Sequence, residues 1–307
     1  MVDRINWKIH ERVQKIMKDT LVIGSNGYIG SAVYSRLQDI ADGLDIHNGN
    51  NYNKLTKTEL QKYKNIILLA ANSSVGSCTG HPKHSLKNNV LNFINLLNKL
   101  NKKQKLIYAS SGSIYGNTEG NIVSEIYTKF QTVSYYDLTK YTSDCYAALS
   151  KVEYYGLRFG TVNGKIPESN IIRDDLIINA MTKNAILHKK ITSINPEVNR
   201  GILGLNDLCE SIKSIIESDT DNRGIYNLAS FNSDVGTISN YIKDRFECEV
   251  DTKKDAKKKM YDFKLNTCKF KSVYNFEFKD TISTICDSIE KDFESIEFVR
   301  RDKCLKI

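Results

Sequence analysis

Proline is nearly missing from this chain, with three in 307 residues, and that argues against a fibrous or disordered protein. Long apolar stretches are missing too. No run reaches the roughly 18 residues a membrane-spanning helix needs, so no membrane partner is expected. The charged N-terminal residues hold no secretory core, and a cytoplasmic protein is the expectation. No internal repeat or low-complexity linker is visible. The seven cysteines (Cys78, Cys145, Cys209, Cys248, Cys268, Cys286, Cys304) are scattered, odd in number and never spaced as C-x-x-C. Neither a zinc site nor a disulfide framework suits that spacing; no metal is expected, and reduced, mostly buried thiols are.

Acidic residues are the minority: 36 Asp and Glu against 44 Lys and Arg give a formal net charge of +8. The basic residues are dispersed, and the one dense run, Lys253 to Lys259, has no interleaved aromatics. Nucleic acid is therefore not an expected partner.

What is present is an alternation. Ile5, Ile9, Val13 and Ile16 at helical spacing predict a short amphipathic helix over residues 3–18. Strands are predicted at Thr20–Ile23, Gly43–Ile46, Asn65–Ala70, Lys105–Ala109 and Val152–Arg158. Between them the spacing predicts helices at Tyr28–Leu37, Glu59–Tyr63, Pro82–Leu100 and Tyr135–Ser150. Apolar strands alternating with amphipathic helices imply an α/β fold, a parallel sheet covered on both faces. Beyond residue 165 the regularity weakens.

Gly24-x-x-Gly27-x-x-Gly30 follows the first strand and opens a helix. Glycines so placed permit a tight turn, close approach of backbone to a pyrophosphate, and close helix–strand packing; the helix N-terminus then faces the phosphates. Asp45 ends the second strand, where a carboxylate can accept from both ribose hydroxyls of NAD and would repel the 2′-phosphate of NADP. A simple turn or N-cap aspartate is the alternative. The chain thus reads as a Rossmann-type doubly wound sheet. Residues 1–19 form a helical extension, 20–165 the NAD-binding domain, and 166–307 a mixed region completing the sheet and forming a small substrate-binding part.

Tyr136 and Lys140 stand four residues apart on one predicted helix face. A phenol titrating near 10 is a poor base at neutral pH, and a nearby ammonium together with a positive nicotinamide ring would favour its phenolate. Tyr136 could then take a proton from a sugar hydroxyl while hydride leaves the same carbon. Ser111, at the end of the preceding strand, can hydrogen-bond the reacting oxygen. Tyr135 competes for the role, but its fourth neighbour is Thr139.

With these pieces in order, the chain resembles the extended short-chain dehydrogenase/reductases, specifically the NAD-dependent epimerase/dehydratase family of nucleotide-sugar enzymes. The likeness runs from about Thr20 to about Asp287. It is carried by Gly24 to Gly30, Leu68-Leu69-Ala70-Ala71, Asn89-Val90, Ser110 to Gly116, Leu157 to Gly164, Arg200 to Asp207 and Ile225 to Leu228. Departures are Leu68 for a usual histidine, Thr161 for a substrate-binding asparagine, Asn53 for an adenine-contacting aspartate and Gly204 for a histidine.

The resemblance implies Ser111, Tyr136 and Lys140 as the catalytic trio. It implies cofactor contacts from Gly24, Asn26, Gly27, Tyr28, Ile29, Gly30, Asp45, Leu69, Ala70, Ala71, Asn89, Tyr136, Lys140 and Phe159. Ser73, Ser111, Thr161, Arg173, Asn179 and Arg200 are the implied substrate contacts, with Arg200 the best suited to a diphosphate. A structural salt bridge is the alternative for Arg200, and helix capping for Arg173 or Asn179. Dehydratases of the family carry an acid and a base where this chain has Gly112 and Ser113, neither of which can move the proton, so elimination is disfavoured. An NAD-dependent 4-epimerase and a 4-keto-sugar reductase remain, and a non-catalytic NAD sensor is disfavoured by the intact trio. The resemblance further implies a nucleotide-diphosphate sugar as partner, a role in polysaccharide or glycoconjugate precursor synthesis, and a homodimer built on the Tyr136 helix, with Ala147, Ala148 and Leu149 contributing. The five histidines, His47 among them, are expected on the surface or in loops.

Overall fold

The structure, a computed structural model, describes residues 18–130, 132–255 and 261–299. The predicted N-terminal helix and most of the lysine run lie outside the described residues.

Six strands form one parallel sheet: β1 (Thr20–Ile23), β2 (Ala41–Leu44), β3 (Asn65–Leu68), β4 (Lys105–Ser111), β5 (Glu153–Phe159) and β6 (Gly224–Leu228), in the order β6-β5-β4-β3-β1-β2. Side chains alternate across a strand, so each run of branched residues serves both faces. Val22, Ile67, Ile107 and Leu157 enter one core cluster. Leu21, Ile23, Ile66, Leu68 and Leu106 enter the other. Both faces are covered, which is why every residue of β1 and β3 is buried and all but their first residues, Thr20 and Asn65, are apolar. The strand order reverses at β1, between its neighbours β2 and β3, and the carboxyl ends there diverge into a crevice.

Helix α1 (Tyr28–Leu37) starts and ends where the apolar spacing put it. Strand β2 lies two residues earlier than predicted, because Ala41–Leu44 pair with Thr20–Ile23 and Asp45 instead caps a short 3-10 turn. The long helix expected from Pro82 is broken by a π turn at Lys87–Leu91, an irregularity that often marks functional regions. Helix α2 (Tyr135–Ala148) carries Tyr136 and Lys140. A buried ion pair fixes α2 on the sheet: Arg158 of β5 donates to Asp144 of α2 at 2.9 Å, and Tyr108 of β4 donates to the same carboxylate at 3.1 Å.

Beyond β5 the chain adds small sheets over the carboxyl ends. Asn199–Gly204 lies between Thr161–Asn163 and Phe231–Asp234, and Asp262–Leu265 pairs with Asn117–Val123. Four of the six described cysteines are buried. No described helix is long and apolar enough to cross a membrane.

Candidate active site

The glycine turn is set by contact between backbones. Gly24 has φ +92°, and a Cβ there would stand 2.6 Å from the Ala70 nitrogen; one on Gly30 would stand 1.8 Å from the Gly24 carbonyl oxygen. Neither position admits a side chain. Gly27 caps α1 with no side-chain hydrogen bond, so the first-turn amides open toward the cavity. That cavity, of about 870 Å³, is lined at this end by Gly24, Gly27, Tyr28, Ile29 and Gly30, with Asp45 beside them.

Asp45 caps its turn, as the alternative reading expects, and also lines the cavity. It accepts from the His47 backbone and ring, at 3.0 and 2.7 Å, and from the Asn26 amide at 3.0 Å. Burial works against its charge, but these bonds outweigh it and hold the carboxyl below its usual range. Three of its roughly four acceptor positions are filled, leaving one for a ligand until the exposed His47 ring swings away.

Leu69, Ala70, Ala71 and Phe159 also line the cavity; Asn26 and Asn89 do not. The Asn89 side chain spans from the Asn72 backbone (2.8 and 3.0 Å) to Thr139 of α2 (3.1 Å), so it braces the turn after β3 against the catalytic helix.

At the middle of the cavity Ser111, Tyr136 and Lys140 come together. The Tyr136 phenol lies beside Ser111, and burial pushes it up to about 12. The expected lowering by Lys140 is not what this geometry provides. The lysine amine donates to the Ala109 carbonyl at 2.6 Å and lies 5.7 Å from the Tyr136 ring centre. Burial pulls Lys140 down to about 8, and the cation that acts on the phenol is Arg173. Tyr135, the competitor, is exposed on the outer face of α2.

Ser73, Thr161, Arg173 and Arg200 line the same cavity. Arg173 is held by Asp175 through two nitrogens at 2.9 and 2.5 Å and reaches the Ser73 carbonyl at 3.3 Å. Arg200 donates to the carbonyls of Asn199 and Tyr261, and burial pulls its guanidinium down to about 10. Asn179 is fully buried away from the cavity; it accepts from the Gly164 amide and donates to the Arg173 carbonyl, so it orients its neighbours.

Sequence reasoning missed three residues here. Phe263, in the strand Asp262–Leu265, and Tyr261 just before it line the cavity from more than a hundred residues beyond α2, with no motif to announce them. Asp137 hides inside the Tyr136–Lys140 motif. It is fully buried, and Ser113, expected to be inert, donates to it at 2.5 Å.

A family model, the NAD dependent epimerase/dehydratase family, matches residues 20–229. An uncharacterised protein of Methanocaldococcus jannaschii is 27% identical over 253 residues, 69% of this chain and 76% of that protein. Among solved structures, TunA, an NAD dependent-NDP-hexosamine 5,6-dehydratase involved in tunicamycin biosynthesis, aligns with a TM-score of 0.79 at 16% identity, covering 91% of this chain and 98% of its own. The UDP-glucuronic acid 4-epimerase from Bacillus cereus, solved with UDP-glucuronic acid and NAD, aligns with a TM-score of 0.75 at 18% identity, covering 90% and 98%. The two structural likenesses establish the fold, and the family match, which spans the glycine turn, Ser111, the Tyr136–Lys140 pair and Arg200, establishes kinship: the chain belongs to the NAD-dependent epimerase/dehydratase family.

Proposed function

We propose that the protein is an NAD-dependent nucleotide-sugar epimerase that works by transient oxidation of one sugar carbon, C4 by preference, with Tyr136 handling the hydroxyl proton. The observation that carries this is one cavity lined together by the glycine turn, Asp45, Ser111, Tyr136 and Arg200. The residues fit the cofactor: the α1 amides suit its diphosphate, Asp45 the adenosine ribose, and Leu69, Ala70, Ala71 and Phe159 the walls. When bound, NAD supplies a hydride acceptor that also returns the hydride. Around it, Ser111 and Tyr136 bind the reacting oxygen, Arg200 takes the substrate diphosphate, and Ser73 and Thr161 border the sugar.

The carboxylate of Asp45 works against the 2′-phosphate of NADP, which favours NAD and a cycle that regenerates it. Leu149, 88% exposed, and half-exposed Leu138 and Tyr146 give α2 an apolar outer face suited to a second copy, and we take the enzyme to be a homodimer on that face. Ala147 is not part of it, being buried in this chain's own core.

The test is NMR of the purified protein with a panel of nucleotide sugars, with and without NADH. Interconversion of two stereoisomers without added cofactor is expected. Stoichiometric consumption of NADH or NADPH would replace the epimerase with a keto-sugar reductase, and binding of NAD without any turnover would leave a sensor.

A further inference from the structure

Four hydroxyl and carboxyl groups stand in a row behind the reacting centre. Ser113 Oγ lies 2.5 Å from Asp137 Oδ1 and 2.8 Å from Ser111 Oγ, and Ser111 stands beside the Tyr136 phenol on the cavity wall. An ionised carboxylate only accepts, so Ser113 must donate to Asp137. Its single proton is then used, which makes Ser111 the donor to Ser113. The Ser111 proton is used likewise, so toward the neighbouring Tyr136 phenol Ser111 can only accept. The Ser113 amide donates to Ser111 Oγ as well, at 3.2 Å, and fills its second acceptor position. The row therefore has one direction, from the phenol to the carboxylate.

We propose that Ser111, Ser113 and Asp137 form a proton relay, in which Asp137 is the terminal acceptor of the proton that Tyr136 takes from the substrate. As the sugar alcohol loses its hydride, its O–H proton passes to the Tyr136 oxygen. The phenol's own proton moves to Ser111, that of Ser111 to Ser113, and that of Ser113 to Asp137. Each oxygen between the ends loses one proton and gains one. The carbonyl forms, Asp137 ends neutral, and reduction on the other face runs the row backwards. This inference rests on Tyr136 being the group that handles the substrate proton.

The relay answers a difficulty in the site. A phenol pushed up to about 12, with Lys140 turned to a carbonyl, is no stored base at neutral pH, but it can pass a proton through. Asp137 is built to receive one. Ser134 and Tyr261 each donate to its Oδ2 at 2.8 Å, and the titratable groups facing it are Tyr136 on its own helix, Cys78 from helix Val75–Gly80, and Tyr261. Burial outweighs the hydrogen bonds and raises its carboxyl above the usual range, nearer to working pH. Ser113 and Asp137 are positioning residues, acting through Ser111 and Tyr136.

Ser113→Ala is the primary test, since it breaks the row and leaves the helix start intact. Turnover at neutral pH should fall about 100-fold, with NAD binding and the substrate KM within about twofold of wild type. The deficit should then shrink as pH rises, by up to about tenfold per pH unit, as Tyr136 begins to ionise unaided. Ser113→Thr, which restores a hydroxyl, should recover most of the rate. A Ser113→Ala deficit that is absent, or that stays constant with pH, overturns the relay. Rates are measured in whichever direction the wild type runs, exchange or NAD(P)H consumption, so the identity of the reaction is read from wild type and the relay from the variants. A readout without substrate is carboxyl NMR of aspartate-labelled protein, assigned with Asp137→Asn. Asp137 ionised at neutral pH supports the relay; a carboxyl already protonated there overturns it, whether or not a sugar is turned over.

Discussion

The two ends of the cavity are built differently. The proposed cofactor end is made by turns that directly follow β1, β2 and β3, and its geometry is fixed by backbone against backbone, as at Gly24 and Ala70. The proposed substrate end draws on side chains far apart in sequence: Ser73, Thr161, Arg173, Arg200 and Tyr261. A site of the first kind tolerates side-chain change but no added Cβ at its glycines. One of the second kind is held by pairings such as Arg173 with Asp175, and single substitutions can retune it.

The largest test of that contrast lies at the meeting point. Tyr136→Phe should lower turnover by about a thousandfold or more while leaving NAD affinity within a few-fold, checked by stereochemical exchange and by cofactor titration. Next is the clamp under α2: Asp144→Ala leaves Arg158 charged and buried without its partner and should cost about 3–5 kcal/mol in denaturant unfolding. Lys140→Met should abolish activity yet stabilise the fold. Its amine is held near 8 in the folded chain against about 10.5 unfolded, so the unfolded state binds the proton more tightly. The penalty, on the order of 3 kcal/mol, is full below pH 8 and fades as pH rises through that window. The gain from Lys140→Met measured by thermal melts should therefore be largest at neutral pH and vanish in strong alkali. Smallest is the division of affinities: Arg200→Ala should raise the substrate KM about tenfold with NAD binding unchanged, and Asp45→Ala should do the reverse. Equal effects of both variants on both ligands would erase the distinction between the two ends.

The same contrast explains what could be seen in the sequence. Strand β1, the glycine turn and α1 were legible to the residue, because their periodicity and their glycines are local constraints. Asp45 lines the cavity, although its strand begins and ends two positions earlier than its pattern predicts, since pairing with β1 decides β2 and its own pattern does not. Asn89 and Asn179 carry motif-like signals, yet their amides are consumed by backbone groups, which only the folded chain reveals. Tyr261 reaches Asp137 across more than a hundred residues, and no spacing rule records such a meeting. Ser113 was in view throughout; judged alone it looks inert, and its partner on α2 gives it a task.

The Arg200 guanidinium grips the backbone carbonyl of Tyr261, and the phenol of that tyrosine ends on Asp137. If Arg200 takes the diphosphate as proposed, the charged tail of the ligand and the proposed proton acceptor are joined through a single residue, Tyr261, whose backbone faces one and whose side chain faces the other.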